Sequence, residues 1–137
     1  MTIHPHLPFK GDCKQAFEFY AECLGGKIAF MMTYGESPMA GQTPPEMQDK
    51  VLHAALQADG AMFTGADAPP NQFEKATGVS VLLSLDDPDQ ADRVFNAMSD
   101  GGKVQMPIQE TFWAKRFGMF IDKFGIPWMV NISERAE

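Results

Sequence analysis

The chain has 137 residues, 45% of them apolar and 11% aromatic, which is one domain's length and enough to bury a core without disulfides or a structural metal, so global disorder is excluded. Eighteen Asp and Glu against eleven Lys and Arg give a formal charge of −7, and neither nucleic acid nor an anionic membrane surface is an expected partner. No apolar run approaches the ~18 residues of a membrane span, and the first residues lack the basic and apolar stretches of a secretory signal.

Residues 3–9 alternate and carry Pro5 and Pro8, which predicts an edge strand. Asp12 is the expected N-cap of a helix in which Ala16, Phe17, Phe19, Tyr20, Cys23 and Leu24 recur at helical spacing, and Gly25-Gly26 ends it. Cys13 and Cys23 share that helix; ten residues place them ~15 Å apart, too far to bridge. Two free thiols point to a reducing cytoplasm. Residues 27–34 read as a strand. Residues 35–49 hold three prolines and two glycines and are expected to form a mobile loop or lid. Residues 50–58 and 61–65 flank Asp59-Gly60, a hairpin signal. Residues 66–76 read as a polar connector.

The pattern then restarts. Residues 79–85 predict a strand. Pro88 opens a helix running to about Asp100, with Val94, Phe95 and Met98 on its inner face. Gly101-Gly102 ends it, and residues 103–110, 117–123 and 127–133 predict three more strands. At an offset of 76, Leu7 falls on Leu83, Phe19 on Phe95, Ala21 on Ala97, and Gly25-Gly26-Lys27 on Gly101-Gly102-Lys103. This register of helix stop and strand start predicts a duplication. The expected fold is α+β, two βαβββ modules at about residues 1–68 and 78–137, joined around a shared concavity.

Three sets of residues carry a resemblance. They are Pro5-His6-Leu7-Pro8-Phe9-Lys10-Gly11 with Ala16-Phe17-Glu18-Phe19-Tyr20 and Leu24-Gly25-Gly26; Thr111-Phe112-Trp113 with Phe117-Gly118-Met119; and Asp122-Lys123-Phe124-Gly125-Ile126-Pro127-Trp128. Together they resemble the vicinal oxygen chelate superfamily (glyoxalase I, extradiol dioxygenases, bleomycin and fosfomycin resistance proteins), and within it the PhnB-like branch. The resemblance covers nearly the whole chain. It implies a cupped mixed sheet, usually in a homodimer, but no single reaction.

The resemblance also implies a divalent metal held by His, Gln or Glu near the starts of the first strands and on the last strands. Such ligands must converge at ~2.0–2.2 Å. The first-strand slot, three residues before an apolar residue, falls on His4, and the offset carries it to Ser80. The last-strand slots, four residues after Gly60 and Gly125, fall on Thr64 and Met129. The set reads His, Thr, Ser, Met, and a shift of one residue brings in His6 or Asn131. Hydroxyls hold divalent first-row ions poorly and thioethers prefer soft ones. No catalytic metal or other cofactor is therefore expected; if an ion bound, His4 with help from His53 would hold it. Some relatives carry a demethylubiquinone methyltransferase label, but no glycine-rich strand–turn–helix is present to cradle S-adenosylmethionine.

Other ionisable groups point to structure rather than chemistry. Asp122 sits in a turn, where Asp caps backbone donors. Glu110 and Lys115 read as solvated strand ends. Cys13, beside Lys14 at a helix start, is the one candidate for a lowered thiol pKa, but with no histidine near it in sequence it is expected to be buried and inert.

What remains is an apolar cup. Its expected inward residues are Leu7, Phe9, Phe30, Met32, Phe63, Phe112, Trp113, Met119, Trp128 and Met129, with Leu7, Phe9 and Phe30 filling the core. The expected ligand contacts are Phe63, Thr64, Ser80, Phe112, Trp113, Trp128, Met129 and Asn131, which suit a small, partly apolar organic ligand. The function expected is binding of such a ligand by a cytoplasmic homodimer. The alternatives are a metal-dependent isomerase, lyase or dioxygenase with an atypical ligand set, and a non-catalytic dimeric scaffold.

Overall fold

The computed structural model describes residues 1–133, so residues 134–137 of the second module lie outside the described part. The chain divides into two units, Met1–Lys75 and Ala76–Glu137. Among the described residues, no helix is long and apolar enough to cross a membrane.

The first unit runs β1 (His6–Phe9), α1 (Cys13–Leu24), β2 (Lys27–Thr33), β3 (Val51–Ala58) and β4 (Ala61–Asp67). Its sheet has the order β1-β4-β3-β2, with β1 parallel to β4 and the other pairs antiparallel. Pro8 is tolerated because β1 is an edge strand. Asp59 and Gly60 take φ of 48° and 82°, the two positive values of a type I′ hairpin turn. Gly25 ends α1 in the left-handed region, its N–H donating to the Ala21 carbonyl.

Helix α1 buries Cys13, Ala16, Phe17 and Tyr20, an i, i+3, i+4, i+7 stripe. Phe17 and Tyr20 pack on Phe63 of β4, ring centroids 5.5 and 5.8 Å away, and Phe17 also meets Phe9 of β1 edge-on. Burying each such ring stabilises the fold by about 1.5–3 kcal/mol. Gly65 lets the Phe17 ring approach: a Cβ there would lie 2.7 Å from Phe17 Cε1. Leu7 and Phe9 are buried on this helix-covered face.

The start of α1 departs from expectation. Asp12 occupies the cap position but its side chain makes no capping bond. Asp67, at the end of β4, does the work. Its Oδ1 accepts from the amides of Gly11 (2.8 Å) and Cys13 (3.0 Å), and its Oδ2 accepts from the amide of Val51 at 2.9 Å. One buried carboxylate thus ties the helix start, the head of β3 and the tail of β4. Residues 66 and 67 belong to β4 rather than to the connector.

Residues 35–49 form a loop, as expected, and it is hydrogen-bonded within itself. They lie within three single 3-10 turns, Tyr34–Glu36, Ala40–Gln42 and Pro45–Met47, and the segments around them. The Gln48 side-chain amide donates to the carbonyls of Ala40 and Thr43, and Gly35 N–H donates to Gln48 O. Ser37 and Met47 are buried. The side-chain chemistry of Gln48 turns a proline-rich stretch into a folded Ω-type loop.

The second unit runs β5 (Val81–Ser84), α2 (Pro88–Ser99), β6 (Lys103–Gln109), β7 (Ala114–Ile121) and β8 (Pro127–Ser133), in the sheet order β5-β8-β7-β6. Element for element this is the topology of the first unit, with its first strand again parallel to its last. The two units make an α+β fold of two βαβββ repeats.

A single offset does not relate them. Lys27 and Lys103 both open a strand, 76 apart, but the buried stripe of α2 is Ala91, Val94, Phe95 and Met98, each 78 residues from its counterpart in α1. Phe95 therefore answers to Phe17 rather than to Phe19. It stands edge-on to Phe120 at 5.2 Å and close over Gly118, as Phe17 does over Gly65. Asp87 caps α2 by accepting from Gln90 N–H. Asp122 fastens the last turn: Oδ1 accepts from the amides of Phe124 and Ile126, and Oδ2 from Trp128 Nε1 at 2.8 Å. This is the capping role expected of it.

Candidate functional site

Strand pleating gives each sheet a helix-covered face and an opposite, open face. In the first sheet, Leu7, Phe9, Phe63, Gly65 and Leu56 occupy the helix side. His6 therefore points to the open side. The register places His6 opposite Thr64, Thr64 opposite Ala55, and Ala55 opposite Phe30, one row across all four strands. His53 pairs with Met32 in the next row.

His6 is hydrogen-bonded to Thr64, Nδ1 to Oγ1 at 2.7 Å. Its ring stacks with His53 at 6.2 Å between centroids and 12° between planes, and Phe30 lies 6.0 Å from His53. Desolvation, then the neighbouring His53, hold the His6 imidazole below its usual pKa, which favours the neutral ring. His4 is exposed ahead of the strand, 3.3 Å from the Met62 carbonyl. Of the two histidines, His6 lies within β1 and His4 ahead of it. Both histidines have the parity opposite to Leu7 and Phe9; the strand's start at His6, three residues later than expected, separates them.

In the second unit Ser80 precedes β5. Leu82 pairs with Met129 and Ser84 with Asn131. On the open face of the second sheet, Leu82, Met129, Met119 and Met106 form one row across four strands, and Ser84, Asn131, Phe117 and Gln109 form the next.

Phe63 and Trp128 are buried on the helix-covered faces, Phe63 under Phe17 and Tyr20, and Trp128 fully enclosed with its Nε1 on Asp122. Sequence patterning placed them in the cup because an aromatic residue reads the same on either face. Trp113 directly precedes β7, which starts three residues earlier than expected. It stands 5.4 Å from Phe117, and Phe112 packs on it edge-on at 4.7 Å while remaining 94% exposed.

Cys13 and Cys23 are both free, and Cys13 is buried. Burial, with the carboxylates of Asp67 and Asp12 beside it, pushes the Cys13 thiol well above its usual pKa, so it is no nucleophile. Glu110 and Lys115 are exposed. Asp67 was hidden inside what read as a connector; no local signal marks a strand-end Asp as a cap for a helix 54 residues earlier.

A divalent ion does not suit the donors present. Among the described residues, no group of three or more His, Cys, Asp and Glu side chains is gathered to hold one. His6 already engages Thr64, and the in-plane lone pairs of two near-parallel stacked rings do not converge. The matching row of the second sheet offers Leu82 and Met129.

Comparison with known proteins agrees with this architecture. A family model described as 3-demethylubiquinone-9 3-methyltransferase matches residues 1–131. Protein YjdN of Escherichia coli (strain K12) is 33% identical over 140 residues, covering 96% of this chain and 95% of that protein. The crystal structure of protein PA1353 from Pseudomonas aeruginosa is 41% identical with a TM-score of 0.89, covering 97% of this chain and 98% of that one. At the level of fold alone, a Bacillus cereus PhnB protein, titled a putative 3-demethylubiquinone-9 3-methyltransferase, is 24% identical with a TM-score of 0.80, covering 97% and 100%. A glyoxylase/bleomycin resistance protein/dioxygenase domain from Frankia sp. is 14% identical with a TM-score of 0.71, covering 100% and 94%. Two βαβββ units and a match over nearly the full length lead to one assignment: the chain belongs to the family described as 3-demethylubiquinone-9 3-methyltransferase.

Proposed function

We propose that this protein binds a small, partly apolar organic molecule on the open faces of its sheets, without a catalytic metal. The observation that carries this reading is the row Leu82–Met129–Met119–Met106 beside Ser84, Asn131 and Phe117. Thioether side chains adapt to varied apolar shapes, and a few hydroxyl and amide groups set orientation. Trp113, 46% exposed beside Phe117, extends the surface. On the second sheet Met129 and Asn131 stay as proposed contacts with Phe112 and Trp113, and on the first sheet Thr64 stays; Phe63, Ser80 and Trp128 are dropped.

S-adenosylmethionine, which the family description implies, does not suit the helix starts where anionic ligand groups bind best. The start of α1 is taken by the Asp67 carboxylate and that of α2 by Asp87. The two modules are taken as one domain, and the working form as a cytoplasmic homodimer.

Thermal-shift screening of small aromatic and aliphatic acids, ketones and amines tests the reading. A true ligand raises the melting temperature with concentration, and Trp113→Ala or Met129→Ala reduces the rise. A flat response to every class refutes it in favour of a scaffold. Stoichiometric zinc, nickel, manganese or iron after gentle purification, lost on His6→Ala, establishes the metal-dependent alternative.

A further inference from the structure

The geometry points to His6 as a direct hydrogen-bond donor, through Nε2–H, to a carbonyl or carboxylate oxygen of the ligand, with Thr64 selecting the tautomer. This rests on the reading that the open faces take a small ligand, and it specifies what that ligand must carry: an acceptor oxygen on an apolar body.

The argument begins with one hydroxyl proton. Thr64 Oγ1 lies 2.7 Å from His6 Nδ1 and 3.4 Å from the Pro5 carbonyl. That carbonyl already accepts from the Thr64 backbone N–H at 2.9 Å. The hydroxyl has one proton for two possible acceptors, and Nδ1 is the nearer and the less engaged; with Nδ1 accepting, the neutral ring carries its proton on Nε2. Among the described residues Nε2 has no partner. The face around it is built from His53, Ala55, Phe30 and Met32, a stacked ring and an apolar floor that would lie against the body of a ligand. A neutral imidazole held in one tautomer polarises a carbonyl without carrying a charge of its own. Where the superfamily resemblance implied an ion between imidazole and ligand oxygen, the donors here instead suit direct contact.

Nitrogen-15 NMR of histidine-labelled protein tests this in two steps. At neutral pH, His6 is expected to show the protonated-nitrogen shift at Nε2 and the unprotonated shift at Nδ1. Thr64→Val removes the bias and Thr64→Ser keeps it, and the dispersion of the histidine spectra reports whether each variant is folded. Benzoate, the acceptor-bearing probe, is then expected to shift His6 Nε2 saturably and to bind about tenfold more weakly to His6→Ala. Benzylammonium, which has no acceptor, leaves Nε2 unmoved. An Nδ1–H tautomer in the unsubstituted protein overturns the inference, as does benzoate that shifts the Met119 and Met129 methyl signals but not His6, a result that leaves the binding reading standing. Benzoate and benzylammonium that move neither methionines nor His6 overturn both.

Discussion

Replacing Asp67 by Ala removes the acceptor for three backbone amides, those of Gly11, Cys13 and Val51. The carboxylate is buried, with 1% of its residue surface exposed, so water does not take over. Each orphaned amide costs about 1–3 kcal/mol, but the three share one acceptor and relax together, so the loss is about 3–5 kcal/mol rather than a full sum. That is a large part of the ~5–15 kcal/mol stability of an ordinary domain. Asp67→Asn separates the contributions. Its Oδ1 still serves Gly11 and Cys13, while an amide nitrogen in place of Oδ2 confronts the Val51 N–H donor to donor, costing about 1–3 kcal/mol. Urea unfolding followed by fluorescence and circular dichroism measures both from midpoint and slope. A midpoint for Asp67→Ala within about 0.5 kcal/mol of the parent, the range of an ordinary surface change, would refute the reasoning.

Cys13 should react with a thiol reagent far more slowly than Cys23, and Asp67→Asn should speed it by loosening the start of α1 and removing one of the charges that raise its pKa; equal rates in the parent contradict this. Gly118→Ala places a Cβ 2.5 Å from the Phe95 ring, and Gly65→Ala one 2.7 Å from Phe17, so each overpacks its unit and costs about 1–3 kcal/mol by the same unfolding assay. The lowered pKa of His6 means that the unfolded chain binds the proton more readily; its contribution is fully present above about pH 6.5 and is lost as pH falls through the lower folded value. Unfolding at pH 7 and pH 5 should show a steeper loss for the parent than for His6→Asn, and identical losses would count against it.

Much of the fold was legible because its signals are local. Asp59-Gly60 announced the hairpin, Gly25-Gly26 and Gly101-Gly102 the helix ends, and the apolar stripes the two helices, since each is a property of a few adjacent residues. The strand faces were harder. Leu7, Phe9, Phe63 and Trp128 are apolar, and an apolar residue fits either a helix-covered face or a ligand-lined one; only the partner element decides. The internal bonding of the loop at 35–49 is not legible in its prolines and glycines, because it comes from Gln48 reaching back across five and eight residues. Asp67 and His6 depend on pairings more than 50 residues long, which no window of sequence contains.

The parallel joining of β1 to β4 has a kinetic side. The β3–β4 hairpin closes over two residues, but the His6–Thr64 bond spans 58, with α1, β2 and β3 between its ends. Closing a long loop costs chain entropy before any contact repays it, so this edge docks after the hairpin and helix have formed. The imidazole and its hydroxyl partner meet only at the end of that assembly, and their bond is a built-in reporter that the first unit has finished folding.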